Sequence, residues 1–202
     1  MAKNKQAIFL MGPTASGKTA LALSLAKIFP IEIISVDSAL IYRDLNIGSA
    51  KPTLTELAAV PHHLIDILSP LQNYSVADFL TDCNRAIGEI CSRGKLPVLV
   101  GGTMMYFNAL MNGISKLPEA DYELRAQLEL EFTKFGNQIM HERLVVLDPI
   151  SAAKIEVNDT QRIERALEVC YLTGKPMSQV QTESKLAGIV DCDYLPLAIV
   201  PS

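Results

Sequence analysis

The chain has 202 residues, 49% of them hydrophobic and 20% charged, with a formal net charge of −4. That apolar content excludes intrinsic disorder for most of the length, and no apolar run approaches the roughly 20 residues of a membrane-spanning helix. The acidic balance argues against a protein that coats nucleic acid without selectivity, but it leaves room for a local basic site.

Met1 to Gln6 carries two lysines and no small-residue cleavage site. A cytoplasmic protein without a secretory leader is expected. Cys83, Cys91, Cys170 and Cys192 lack metal-ligand spacing and are expected to be buried free thiols.

Ala7 to Met11 is a continuous apolar run ending at Gly12, the pattern of a buried parallel strand. Thr19 to Ile28 follows as a helix, with Leu21, Leu25 and Ile28 at helical spacing and Pro30 beyond its end. Ile31 to Val36 reads as a second buried strand, ending at Asp37 and Ser38. Val76 to Cys91 has Phe79, Cys83, Ile87 and Ile90 on one helical stripe, with Gly94 past its end. Pro97 to Val100 is a third strand, followed by Gly101, Gly102 and Thr103. Strands alternating with helices predict an α/β fold: a parallel sheet with helices on both faces.

The texture changes near Leu117. Asp121 reads as an N-cap before Leu124, Leu128 and Phe132, and Asp148-Pro149 marks a second helix start. Asn158-Asp159 opens a third helix carrying Ile163, Leu167 and Cys170, which stops at Gly174 and Pro176. Residues 117–185 hold 12 acids against 8 bases and show no clear strand. They are expected to form a helical insertion into a core domain made of residues 1–116 and 186–202. Tyr194 to Val200 reads as a return to the sheet.

Gly12, Pro13, Thr14, Ala15, Ser16, Gly17, Lys18 and Thr19 match the phosphate-loop pattern G-x-x-x-x-G-K-[ST], between a strand and a helix as the pattern requires. The glycines let successive N–H groups turn inward onto phosphate oxygens, and the helix adds its positive end. Lys18 supplies a mobile charge, and the Thr19 hydroxyl is a ligand for Mg2+. This is a diphosphate or triphosphate site on a P-loop NTPase-like sheet.

The strand ending at Gly101 brings no carboxylate, whereas the one ending at Asp37 does. Ligands of open parallel sheets sit beyond the carboxyl ends of the strands, so Asp37 and Thr103 are expected to share a cleft with the loop. A turn cap is the competing reading for Asp37, and a tight Gly-Gly-Thr turn for Thr103. Arg162 and Arg165 share a helix face suited to RNA phosphates, or else form a solvated ion-pair face with Glu164 and Glu168. His62-His63 has no third ligand nearby and reads as a structural or substrate-loop pair instead of a metal site. Met104 to Phe107 reads as core, with one or two residues available to line a ligand pocket. Lys51 is either a cation near the cleft or an exposed loop lysine.

Several motifs occur in order: GPTASGKT (12–19), DSALIY (37–42), IGSAKP (47–52), PHHLID (61–66), YSVADF (74–79), GGTMMYF (101–107), DP (148–149) and NDTQRIERALEV (158–169). On these the chain closely resembles the bacterial tRNA dimethylallyltransferases, also called tRNA isopentenyltransferases. The resemblance implies that the loop binds the diphosphate of dimethylallyl diphosphate in place of ATP. The prenyl group then passes to the exocyclic amine of an adenine beside the anticodon. It implies Asp37 as the base or hydrogen-bond acceptor at that amine, with Thr103 and Arg125 positioning substrate. It also implies tRNA contacts from Asp37, Ser38, Ala39 and Leu40, and from Gln161, Arg162, Ile163, Glu164 and Arg165. No stable protein partner and no membrane association are expected. The family continues well past the position of Ser202. A small-molecule P-loop kinase is the alternative reading.

Overall fold

The structure is a computed structural model and describes residues 5–200. The described chain divides into two compact units. One runs to Gly113 and resumes at Ala187; the other is Ile114–Leu186.

The first unit begins with β1 (Lys5–Met11), α1 (Lys18–Ala26), β2 (Ile31–Val36), α2 (Leu54–Ala59) and β3 (His62–His63). It continues with α3 (Val76–Ser92), β4 (Leu96–Gly101) and α4 (Met104–Asn112). The second unit contains β5 (Ile114–Ser115), α5 (Tyr122–Leu147), α6 (Pro149–Ala152), α7 (Thr160–Thr173), α8 (Met177–Glu183) and β6 (Lys185–Leu186). The chain then returns to the first unit as β7 (Cys192–Ala198).

Five strands form one parallel sheet in the order β3-β2-β4-β1-β7. The apolar runs suit it, because its central strands are covered on both faces. Ile31, Ile33 and Val98 turn to one face, against Ala22 of α1 with Leu23, Leu25 and Ala26. Phe9 lies on the other face, tilted against Phe107 of α4 and stacked on Tyr194 of β7 at 4.6 Å. The predicted stripe of α3 is realised: Phe79, Cys83, Ile87 and Ile90 are all buried. Burying Phe79, Ile87 and Ile90 contributes about 1.5–3 kcal/mol each. A capping box between Ser75 and Asp78 starts this helix.

The expected face of α1 needs correction. Leu21 and Ile28 are exposed, and the fully buried residue is Ala22. Gly17, at φ 87°, sets the direction in which the helix leaves the loop, and the small Ala22 lets its axis lie close to the sheet. The four cysteines are free, as expected, but only Cys83 and Cys170 are buried; Cys91 and Cys192 are half-buried.

One residue inside the β2 apolar run is charged. Glu32 is 3% exposed and accepts hydrogen bonds from Arg93 Nη2 at 2.7 Å, with His63 Nε2 at 2.6 Å and Lys95 Nζ at 3.0 Å. The Arg93 hydrogen bond leads these contacts in holding its carboxyl down at about 2, against the opposing effect of burial.

In the second unit, Asp121 caps α5 by accepting from Glu123 N and Leu124 N, both at 3.0 Å. Gly136, at φ 76° and ψ 166°, breaks α5 into two helical stretches that fold back together. Leu128, Phe132, Met140 and Leu144 from α5 pack with Ile163, Ala166, Leu167 and Cys170 from α7. Asp148 caps α6 as its sequence position predicts, and Gly174, at φ 67°, closes α7. This unit starts three residues before the expected boundary at 117. Its entering segment, Ile114–Ser115, pairs antiparallel with its leaving segment, Lys185–Leu186.

Candidate active site

The strand register brings the loop and the carboxylate together. Gly101 of β4 is level with Met11 of β1 and with Val36 of β2, so Gly12, Asp37 and Gly102 all leave the sheet along one edge. The approach is close enough to require glycine. A Cβ on Gly101 would stand 2.0 Å from Val36 O, and one on Gly12 would stand 2.8 Å from Ile199 O. Ala15 and Gly17 both have positive φ, 63° and 87°, which curls the loop before α1 begins. Ser16 N–H donates to Pro13 O at 3.3 Å across that turn.

Lys18 Nζ donates to Pro13 O at 2.5 Å and lies 3.4 Å from Ser16 Oγ, which holds the ammonium over the loop. Partial burial pulls its pKa below the ordinary lysine value, while the facing charge of Asp37 pushes it back up. Asp37 Oδ1 accepts from Ala39 N at 2.8 Å and, more weakly, from Leu40 N at 3.4 Å. The turn-cap geometry weighed for Asp37 is therefore present, and it engages Oδ1 alone. Thr103 is tied to the same corner. Its N–H donates to Val36 O at 3.3 Å, and its Oγ1 accepts from Ser38 N at 3.2 Å.

The loop and Asp37 border a cleft of about 390 Å³ lined by residues 14–20, Asp37, Leu40 and residues 100–102, whereas Thr103, expected there from sequence, follows that lining and meets the site through Ser38. Ser49, Ala50 and Glu56 also line it and were missed from sequence. The signal was available: Thr53 and Glu56 form a capping box that starts α2 and places Glu56 there.

Among the described residues no group of three or more His, Cys, Asp or Glu side chains is arranged to hold a metal ion. A Mg2+ ion that shares phosphate oxygens needs only one or two hard oxygen donors from the protein, and the Thr19 hydroxyl at the cleft is of that kind.

Three sequence expectations are revised. Lys51 is not a cleft cation: its side chain is 6% exposed and donates to Asp66 Oδ1 at 2.5 Å and Tyr42 O at 3.1 Å. Met104 and Met105 are exposed, and only Tyr106 and Phe107 belong to the core. Ile163 is fully buried among the helices of its unit, so the outward-facing groups of 161–165 are its neighbours. His62 and His63 have hydrogen-bond partners within the fold, Val60 O and Glu32.

The remaining candidates lie together in the helical unit. Arg125 Nε and Nη2 reach Glu168 at 2.8 and 3.0 Å, and Arg165 contacts the same carboxylate and donates to Pro118 O at 2.7 Å. Arg162 is the exposed member, 3.3 Å from Asp159.

A family model described as IPP transferase matches residues 40–201, and one described as isopentenyl transferase matches residues 5–71. The chain belongs to the IPP transferase family. The tRNA dimethylallyltransferase of Chromobacterium violaceum is 59% identical over 201 residues, covering 100% of this chain and 62% of that protein. The one from Herminiimonas arsenicoxydans is 55% identical, covering 96% of this chain and 61% of that protein. The chain thus spans about three-fifths of the length of these relatives. A crystal structure of a eukaryotic dimethylallyltransferase acting on tRNA matches 96% of this chain and 48% of its own, at a TM-score of 0.74 and 32% identity. The tRNA isopentenylpyrophosphate transferase of Bacillus halodurans matches 85% of this chain and 57% of its own, at a TM-score of 0.54 and 44% identity. Membership of the IPP transferase family and these structural neighbours bear out the P-loop NTPase-like α/β fold and do not favour the kinase alternative. No helix among the described residues is long and apolar enough to cross a membrane.

Proposed function

We propose that this chain provides the catalytic core of an enzyme that prenylates tRNA. A dimethylallyl group would pass from dimethylallyl diphosphate to the exocyclic amine of an adenine adjacent to the anticodon, releasing diphosphate. The observation that carries this reading is a phosphate loop facing a carboxylate, Asp37, across one cleft in a member of the IPP transferase family. The names of relatives 59% and 55% identical support the substrates.

The exocyclic amine is a weak nucleophile because its lone pair is delocalised into the ring. As its nitrogen bonds to the allylic carbon and the carbon–oxygen bond to diphosphate breaks, its proton passes to the Asp37 carboxylate. Oδ1 is held by the Ala39 amide, which fixes the carboxylate plane and leaves Oδ2 as the acceptor. Negative charge grows on the departing diphosphate. The loop N–H groups, the start of α1 and Lys18 stabilise it there. A Mg2+ ion held by Thr19 and the diphosphate oxygens would add charge neutralisation at the leaving group.

Thr103, through its bond to Ser38, holds the 37–40 segment against the cleft wall where the target base arrives. A base must leave its stack to enter, and loop nucleotides do so at least cost. In this reading residues 117–185 are the tRNA-contacting lid, through Arg125 and the 161–165 segment, and the enzyme works in the cytoplasm. The test is incubation of the full-length protein with unmodified tRNA, Mg2+ and dimethylallyl diphosphate. A prenylated adenosine in the digested tRNA supports the reading, and ATP-dependent phosphate transfer without RNA modification removes it.

A further inference from the structure

Sequence alone leaves Glu168 as one member of a solvated ion-pair face, yet the structure buries it completely. Its two oxygens accept from Arg125 Nε at 2.8 Å and Nη2 at 3.0 Å, from Arg165 Nη1, and from the Asp121 N–H at 2.9 Å. The Arg125 contact is a fork-to-fork pair, the strongest and most directional arrangement open to these groups. Arg165 is fixed a second time by Pro118 O at 2.7 Å. Burial raises the Glu168 pKa, but the hydrogen bonds from Arg125 and Arg165 bring it below its ordinary value, so it is ionised at neutral pH.

Burying a carboxylate in this way is a poor route to stability, since an apolar residue of similar volume often does as well. What the arrangement does achieve is geometric. Two guanidinium groups from different helices, each on a flexible side chain that loses rotamer freedom when ordered, are held side by side before any ligand arrives. Arg125 Nη1 and Arg165 Nε take no part in the bonds to Glu168 and Pro118, and the two side chains remain 36% and 29% exposed. Counting these three groups, the cluster keeps one positive charge. Glu164, with its Oε1 3.9 Å from Arg125 Nε, sets a second carboxylate at the edge of the cluster that offsets this charge.

We infer that Glu168 is a positioning residue. It presents Arg125 and Arg165 as a preset pair of donors for the RNA backbone. The inference rests on the proposed function.

Electrostatics and positioning predict opposite signs for Glu168→Gln. Removing a negative charge beside an RNA-facing surface should tighten nonspecific polyanion binding. Releasing the two arginines should slow transfer, since small misplacements can cost up to roughly a hundredfold. The test uses the full-length chain, with single-turnover prenyl transfer at saturating tRNA, affinity for bulk RNA across a salt series, and circular dichroism. Expected for a folded Glu168→Gln is a transfer rate at least tenfold lower with bulk-RNA affinity unchanged or higher. In an Arg125→Ala background the same change should have little further effect on the rate. Wild-type transfer by folded Glu168→Gln, or a full additional loss in the Arg125→Ala background, overturns the inference. Should Glu168→Gln fail to fold, Arg125→Lys decides, since it keeps the charge but not the fork: a tenfold loss supports positioning and a wild-type rate refutes it. A wild-type protein that prenylates no tRNA removes the proposed function itself, and the role of Glu168 with it.

Discussion

Replacing Asp37 by asparagine separates proton acceptance from every other task of that residue. The amide of Asp37→Asn keeps a side-chain oxygen able to accept from Ala39 N, which the wild-type carboxylate meets at 2.8 Å, so the turn that carries residues 37–40 survives. It loses the charge and the basicity of Oδ2. If Asp37 takes the amine proton, transfer should slow by about two to four orders of magnitude, equivalent to roughly 3–5 kcal/mol of transition-state stabilisation. Thermal stability should be close to wild type. Diphosphate affinity should hold or rise, because a carboxylate contributes no attraction to phosphate and faces Lys18 across the cleft. Lys18 in turn loses the charge that now opposes its burial, so its pKa should fall further. Asp37→Ala should give the same rate loss and also a lower melting temperature, since the Ala39 and Leu40 amides lose their acceptor. The assay is single-turnover transfer to unmodified tRNA at saturating substrates, with calorimetric titration of diphosphate in parallel. A wild-type rate in both variants, with diphosphate or metal affinity lost instead, would refute proton acceptance and make Asp37 part of the phosphate or metal site.

Other outcomes follow from the same geometry. Lys18→Ala should weaken diphosphate binding by roughly ten- to a hundredfold, the worth of one charge-assisted contact, without altering the circular dichroism spectrum; calorimetric titration measures it. Asp148→Ala removes an acceptor from Ser151 N, Ser151 Oγ, Ser178 N and Ser178 Oγ, at 3.0, 2.6, 2.8 and 2.7 Å, and should destabilise the helical unit by about 3 kcal/mol in denaturant unfolding. Glu32, with its pKa lowered from 4.5 to about 2, contributes stability that is complete above pH 4.5 and is lost as the pH falls toward 2. Melting temperatures of wild type should therefore drop more steeply across that window than those of Glu32→Gln, and parallel profiles would contradict the assignment.

The parts legible in sequence are those where one local pattern has one physical solution. The apolar runs at 7–11, 31–36 and 97–100 could be satisfied only by strands covered on both faces, and the phosphate loop needs its glycines where the strand ends meet. The α3 stripe and the Asp121, Asp148 and Asp159 caps are local for the same reason. What escapes a sequence reading depends on partners distant in the chain. Glu32 looks out of place in a buried strand until Arg93 and Lys95, more than 60 residues later, are brought against it. Glu168 looks solvated until Asp121 and Arg125 arrive from another helix. The loop position of Lys51 suggests a cleft or solvent, while its direction is set by Asp66 and the Tyr42 carbonyl. The face of α1 is ambiguous for a different reason: spacing gives a stripe but not which way the preceding glycine turns it. Within the site, strand order alone brings Asp37, Thr103 and the loop together. Glu56 is placed only by following its capping box into the structure.

The central claim is that this cleft joins a prenyl diphosphate to an adenine of tRNA. Its most direct test is nucleoside mass analysis of unmodified tRNA after incubation of the full-length protein with Mg2+ and dimethylallyl diphosphate, alongside the Asp37→Asn variant. The account predicts an adenosine heavier by one five-carbon prenyl group in the wild-type digest, located beside the anticodon, and almost none with the variant. Unmodified adenosine in both digests, with the protein folded and diphosphate bound, would contradict it.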